Sequence, residues 1–161
     1  MVEGQCQLNV SGRHESPSRW RSRHPGELSV DIVVNNYNYG QFVGHAVESA
    51  LAQAYPNVNV IVVDDGSTDD SREILQAYEG KIEVVLKENG GQASAFNAGF
   101  ARSAGDVVIF LDADDVLRPE AAALVASTFA ADPRVVKVQY RMEVIDEGGC
   151  PSGVILSLIH I

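Results

Sequence analysis

The chain has 161 residues, about one domain, with 45% hydrophobic and 21% charged residues, the balance of a globular rather than a disordered protein. Its 22 Asp and Glu against 12 Lys and Arg give a formal net charge of −10, which excludes a general nucleic-acid backbone binder, since that needs a basic face. Two distant cysteines, Cys6 and Cys150, exclude a disulfide framework and a zinc-ligand spacing and suit a reducing cytosol, and no apolar run reaches the roughly 18 residues of a membrane span.

Residues 1–27 show no periodicity. They hold "SGRHESPSRWRSRHPGE", basic and polar with two prolines, and are expected to form a disordered leader without the apolar core of a secretory signal. A basic tail touching anionic lipid through Arg19, Arg21 and Arg23 is the weaker reading of the same stretch.

From Leu28 the texture changes. "LSVDIVVNN" is a β-branched run and predicts a buried strand. "GQFVGHAVESALAQA" has apolar residues at helical spacing and closes near "YPN". "VNVIVVDD" predicts a second strand, and "STDDSREILQAYEG" a helix that opens on Ser, Thr and Asp caps and ends at Gly80. "KIEVVLKE" predicts a third strand, "GGQASAFNAGFARSAG" a glycine loop entering a helix, and "DVVIFLD" a fourth strand. "RPEAAALVASTFAAD" predicts an alanine-rich helix with Pro119 in its first turn, and "RVVKVQYRMEVI" a fifth strand. Residues 148–161 are expected to form an irregular tail, with "VILSLIHI" lacking a visible partner, and the sheet reads as incomplete, as though the C-terminal part of a larger domain were missing.

Near-continuous apolar strands alternating with helices imply a Rossmann-like α/β fold, a mostly parallel sheet with helices on both faces. Ligands of such sheets lie beyond the carboxyl ends of the strands. Polar clusters recur there: "NNYN", "DDGSTD", "ENGGQ" and "DADD" follow the first four strands. One such cluster is ordinary loop chemistry; four at corresponding places point to a site.

The last cluster carries the most chemistry. Asp112 and Asp114 stand one residue apart at a strand end, and two oxygen-only side chains suit Mg²⁺ or Mn²⁺, which keeps waters and accepts phosphate oxygens. A metal carrying a diphosphate would supply the positive charge that these repelling carboxylates lack. Asp115 is expected to cap the helix that begins near Pro119. In "VVDDGSTDD", Asp65 is expected to accept hydrogen bonds from a base or ribose, and Ser67, Thr68 and Asp69 to hold the loop. "NGGQASAFNAG" has the glycines of a phosphate-cradling loop, with Gly91 at the helix entry, but not the Gly-Lys-Ser/Thr element of a Walker motif; Asn97 and Gly99 are expected to serve helix packing.

Together "VDIVVNNYN", "SALAQAYPNVNVIVVDDGSTDDSREIL" and "ENGGQASAFNAGFARSAGDVVIFLDADDVLRPE" resemble the N-terminal, donor-binding half of a family-2 glycosyltransferase with the GT-A fold, over Leu28 to Val144. The resemblance implies a nucleoside-diphosphate sugar donor, most often a UDP-sugar, a divalent metal, and an inverting transfer to an acceptor hydroxyl. It places Asn36, Tyr37, Asn38 and Asp65 around the nucleoside, Asp112 near the ribose or the metal waters, and Asp114 on the metal as the last residue of the family's Asp-x-Asp motif. The acceptor is open among polysaccharide (as in cell-envelope polysaccharide synthesis), lipid and protein. Cytoplasmic placement is implied, with membrane association at the inner face only through regions outside this chain.

The chain departs from the family pattern in three places. Asn35 stands where proline is common, and Phe96 where many relatives carry Arg or Lys. The family's general base, an Asp or Glu on a later segment, has no match here and is expected beyond Ile161. A noncatalytic nucleotide-sugar-binding remnant is therefore an alternative reading. "FLDADDVL" is also similar to the nucleophile motif of haloacid-dehalogenase phosphatases, and the acidic pair Asp64–Asp65 with Asp112 to a phospho-receiver, but the further motifs these need are not found.

Overall fold

The computed structural model describes residues 28–139, 142–146 and 148–156; the leader expected over 1–27 lies outside them. The described chain runs β1 (Val30–Asn36), α1 (Gly40–Leu51), β2 (Val58–Asp64), α2 (Ser71–Gln76), β3 (Glu83–Leu86), α3 (Gln92–Arg102), β4 (Val107–Asp112), α4 (Ala121–Ala131), β5 (Met142–Ile145) and β6 (Pro151–Leu156). β3, β2, β1 and β4 form one parallel sheet in that order.

The strands form where β-branched residues run together, and the central one is buried on both faces. Val30, Ile32 and Val34 of β1 enter the larger core with Val43 and Val47 of α1, Leu75 of α2, and Ala122, Val125 and Ala126 of α4. Val33, one residue out of phase, faces the other way and packs with Ile61, Val63 and Ala95 under α3. The result is an α/β/α sandwich, as the continuous apolar runs predict. α3 lies close to the sheet because residue 99 is glycine. A methyl group there would stand 2.2 Å from Val33 Cγ1 and 3.1 Å from Val63 Cγ2.

The amino end of the sheet is fastened by one carboxylate. Asp31, fully buried on the α3 side of β1, accepts hydrogen bonds from Ser103 Oγ, Ala104 N–H and Gly105 N–H at 2.7–2.8 Å and from Asn59 Nδ2 at 3.0 Å. Burial pushes its carboxyl up, but these four donors hold it below the ordinary carboxylate range.

Several boundaries differ from expectation. The fifth strand does not join the parallel sheet: β5 is only Met142–Ile145 and pairs antiparallel with β6. Residues 151–156 of the expected irregular tail are thus a strand; 157–161 lie outside the described residues. The reason is local: Asp146, Gly148 and Gly149 make a turn, with Asp146 Oδ1 accepting from the N–H groups of Gly148 and Cys150. α4 starts at Ala121, so Pro119 precedes it, and its N-cap residue is Glu120. Asp115 is therefore not the cap of that helix. Among the described residues no helix is long and apolar enough to cross a membrane.

Candidate functional site

The strand order reverses about β1. The chain leaves β1 through α1 toward β2 on one side, whereas β4 lies on the other. The crevice between the carboxyl ends of β1 and β4 is the place where such sheets bind ligands. Register pairs Asn35 of β1 with Asp112 of β4, and Asn36 with Asp64 of β2, so the polar strand ends are brought level.

A cleft of about 480 Å³ opens there. It is lined by Asn36, Tyr37, Asp65, Gly91, Asp112 and Asp114, six of the seven residues singled out in the sequence, and by Asn35, Tyr39, Asn89 and Gln92, which were not. Another cleft, of about 530 Å³, lies at the opposite end of the sheet around Asp31 and Asn59; it holds none of the strand-end clusters.

Asn38 is the seventh residue and does not line the cleft. It has a left-handed backbone, φ 57°, and its side-chain Oδ1 accepts from Thr68 N–H at 2.8 Å. Its own N–H donates to Ser67 Oγ at 2.9 Å. Asn38 therefore staples the first loop to the second rather than facing the cavity. Asn36 is likewise committed: its Nδ2 donates to Asp64 Oδ2 and to Ser67 Oγ, both at 3.1 Å. Its Oδ1 is buried and has no hydrogen-bond partner among the described residues. A buried acceptor left open at a cleft wall is costly unless a donor arrives.

Asp64 and Asp65 divide their work. Asp64, fully buried, accepts from Ser67 N–H, Arg72 Nε and Asn36 Nδ2. Burial pushes it up, and Ser67 and Arg72 bring it below the usual range. Asp65, next along, accepts from Lys87 Nζ and from the N–H groups of Gly90 and Gly91. Against the desolvation of burial, Lys87 and the two amides hold its carboxyl low.

This changes the reading of the glycine loop. Gly91, at φ 83°, lets the chain turn into α3, and its N–H points 2.7 Å from Asp65 Oδ2. The amides expected to be free for a phosphate are taken by an internal carboxylate. Lys87 and the Asp65–glycine contact escaped sequence reasoning because they join residues 22 and 26 positions apart.

The acidic turn shows the opposite condition. Gln92 Nε2 donates to Asp112 Oδ1 at 2.9 Å, while Asp114 faces the cleft with no cationic partner among the described residues. Desolvation pushes the Asp115 carboxyl up, and the charges of Asp114 and Asp112 add to the shift. Among the described residues no three His, Cys, Asp or Glu side chains form a closed metal cage. The pair Asp112–Asp114 suits instead a hard cation that takes its remaining ligands from water and donor oxygens.

The parallel α/β sheet with this acidic turn at its switch point has the GT-A fold of its structural neighbours. Residues 31–152 match the profile of Glycosyl transferase family 2, and the chain belongs to that family. It is 38% identical over 123 residues to an uncharacterized glycosyltransferase of Nostoc sp., covering 74% of this chain and 38% of that protein. It is 43% identical over 90 residues to TuaG of Bacillus subtilis, a putative teichuronic acid biosynthesis glycosyltransferase, covering 53% of this chain and 36% of that one. Among solved structures, S. aureus TarS 1–349 in complex with UDP-GlcNAc superposes with a TM-score of 0.59 at 26% identity, over 65% of this chain and 32% of that 1–349 chain. The mannosyltransferase PcManGT of Pyrobaculum calidifontis, in complex with GDP-Man and Mn²⁺, gives a TM-score of 0.59 at 25% identity, over 74% and 39%. The chain thus spans between 32% and 39% of the length of these four matched chains. Family membership leaves the phosphatase and receiver readings of the acidic residues without support.

Proposed function

We propose that this chain is the donor-binding part of an inverting glycosyltransferase that takes its sugar from a UDP-sugar, with Mg²⁺ or Mn²⁺ held at Asp114 and Asp112. The observation that carries this reading is the pairing of two conditions in one cleft. Asp65 is saturated by donors, whereas Asp114 faces the cavity beside Asp112 with no counter-charge among the described residues.

The residues divide the labour. Tyr37 and Tyr39, both about half exposed at the rim, offer rings for a base, and the open Oδ1 of Asn36 offers an acceptor for a base or ribose donor. Asp112, oriented by Gln92, and Asp114 would hold the cation, which would supply neutralisation of the charge that builds on the leaving diphosphate. The acceptor oxygen forms its bond to the anomeric carbon as the bond from that carbon to the diphosphate oxygen breaks, and the hydroxyl proton passes to a general base. We assign that base to the part of the relatives' length that this chain does not span. The complexes of TarS with UDP-GlcNAc and of PcManGT with GDP-Man and Mn²⁺ support the donor class and the metal.

Calorimetric titration of UDP with and without Mn²⁺ tests the reading. Expected is binding that needs the metal. Metal-independent binding, or none for any nucleoside diphosphate in a folded sample, overturns it. Metal-dependent binding that never leads to turnover in the longer protein would favour the noncatalytic alternative.

A further inference from the structure

The loop after β1 has a bonded back and a free front. Tyr37 and Tyr39 line the donor cleft, while Asn36, Asn38 and Gly40 are tied to the loop after β2. Asn36 Nδ2 and Asn38 N–H donate to Ser67 Oγ at 3.1 and 2.9 Å. Asn38 Oδ1 accepts from Thr68 N–H at 2.8 Å, and Gly40 N–H donates to Asp69 Oδ2 at 2.9 Å. Asn38 is the only residue other than glycine with a positive φ among the described residues, a backbone that asparagine tolerates better than most side chains. Ser67, which receives two of these bonds, is itself buried.

We infer that this bonded back preorganises the nucleoside end of the cleft, and that Asn38 is a positioning residue acting through Tyr37 and Tyr39. The inference rests on the donor reading above and extends it to a residue that does not line the cleft. Two half-exposed rings at a rim lose freedom when a base packs on them, and that loss subtracts from affinity. Here the ordering is completed at folding, because the residues on either side of each tyrosine are tied down. Tyr37 stands between Asn36 and Asn38, and Tyr39 between Asn38 and Gly40, so Asn38 is the tie that both rings share. Tyr39 also rests against Phe42 of α1, with ring centroids 6.1 Å apart. The metal end is built separately. Asp112 takes its side-chain hydrogen bond from Gln92 of α3, and among the described residues no side-chain hydrogen bond joins Asp112 or Asp114 to residues 36–40 or 67–69. Substitution of Asn38 is therefore felt at one end of the cleft and not at the other.

The test is calorimetric titration of the 161-residue chain, in Mg²⁺, with two probes. UDP reaches both ends of the cleft, and pyrophosphate reaches the metal end alone. Asn38→Ala loses the acceptor for Thr68 and disfavours the positive φ; it should weaken UDP about tenfold and leave pyrophosphate within about twofold. Asn38→Gly keeps the backbone and loses only the acceptor, so it should shift the ratio of the two affinities the same way and serves where the alanine variant does not fold. Asn38→Asp keeps both the acceptor and the backbone. Its added charge bears on both anions, so the ratio should return to within about twofold of the parent's. A general loss of structure would lower both probes together. An unchanged ratio in Asn38→Gly, an equal loss of both probes, or a ratio that Asn38→Asp fails to restore overturns the inference. A folded parent that binds no UDP sinks the donor reading instead, and the positioning role with it.

Discussion

Gln92 reaches from the first turn of α3 to Asp112 at the end of β4, 2.9 Å from Nε2 to Oδ1. The contact joins the glycine loop to the acidic turn and leaves the other oxygen of Asp112 for a ligand. Gln92→Ala should lower metal-dependent UDP affinity about fivefold, since an exposed hydrogen bond to a charged group is worth about 1 kcal/mol. Gln92→Glu should cost more, because it sets a like charge beside Asp112. Calorimetry on both variants checks the order.

Asp114→Ala should abolish the metal dependence of UDP binding while thermal stability changes by less than about 0.5 kcal/mol. Among the described residues the side chain has no hydrogen bond or ion pair to lose, and its removal relieves repulsion with Asp115. Unaltered metal dependence would reassign the ligand.

Gly99→Ala should destabilise the fold by about 3 kcal/mol, the scale of overpacking in a tight core. The added methyl cannot coexist with Val33 at 2.2 Å, so α3 must lift from the sheet. Urea unfolding measures the loss. A change under about 0.5 kcal/mol would mean that the helix sits further out than described.

Acid should loosen the amino end of the sheet. The folded-state carboxyl of Asp31 lies below its ordinary value of 3.8. The stability it contributes is therefore complete above that value and is lost as pH falls through the lower, folded one. Asp31→Asn should be less stable than the parent at pH 7 by about 3 kcal/mol, because its amide confronts donors with a donor. The gap should close as pH drops below about 4. Thermal melts of both proteins from pH 7 to pH 2.5 give the comparison, and a constant gap would refute the assignment.

The strand cores and the four polar strand ends were legible because both are local patterns: β-branched runs, then abrupt polarity. Asp112, Asp114 and Asp65 could be picked out for the same reason. What stayed hidden depends on long-range geometry. Nothing near Asp65 in sequence announces that Lys87 and Gly91 will converge on it, or that Ser67 will take Asn38 and so turn that residue off the cleft. β5 was misjudged because apolar residues from Arg134 onward suit a strand equally well in a sheet or in a hairpin; the turn at Asp146–Gly149 decided for the hairpin. Asp115 matched the preference of a cap, but the chain between it and Ala121 is too long for it to reach that role.

The Asp31 fastening has a consequence for how this framework tolerates change. Rigidity is supplied at the rim farthest from the chemistry, by a carboxylate whose every demand is met within the chain. The opposite rim is thereby released from anchoring duty. Its loops can be rewritten while the fastening that keeps the layers in register stays untouched.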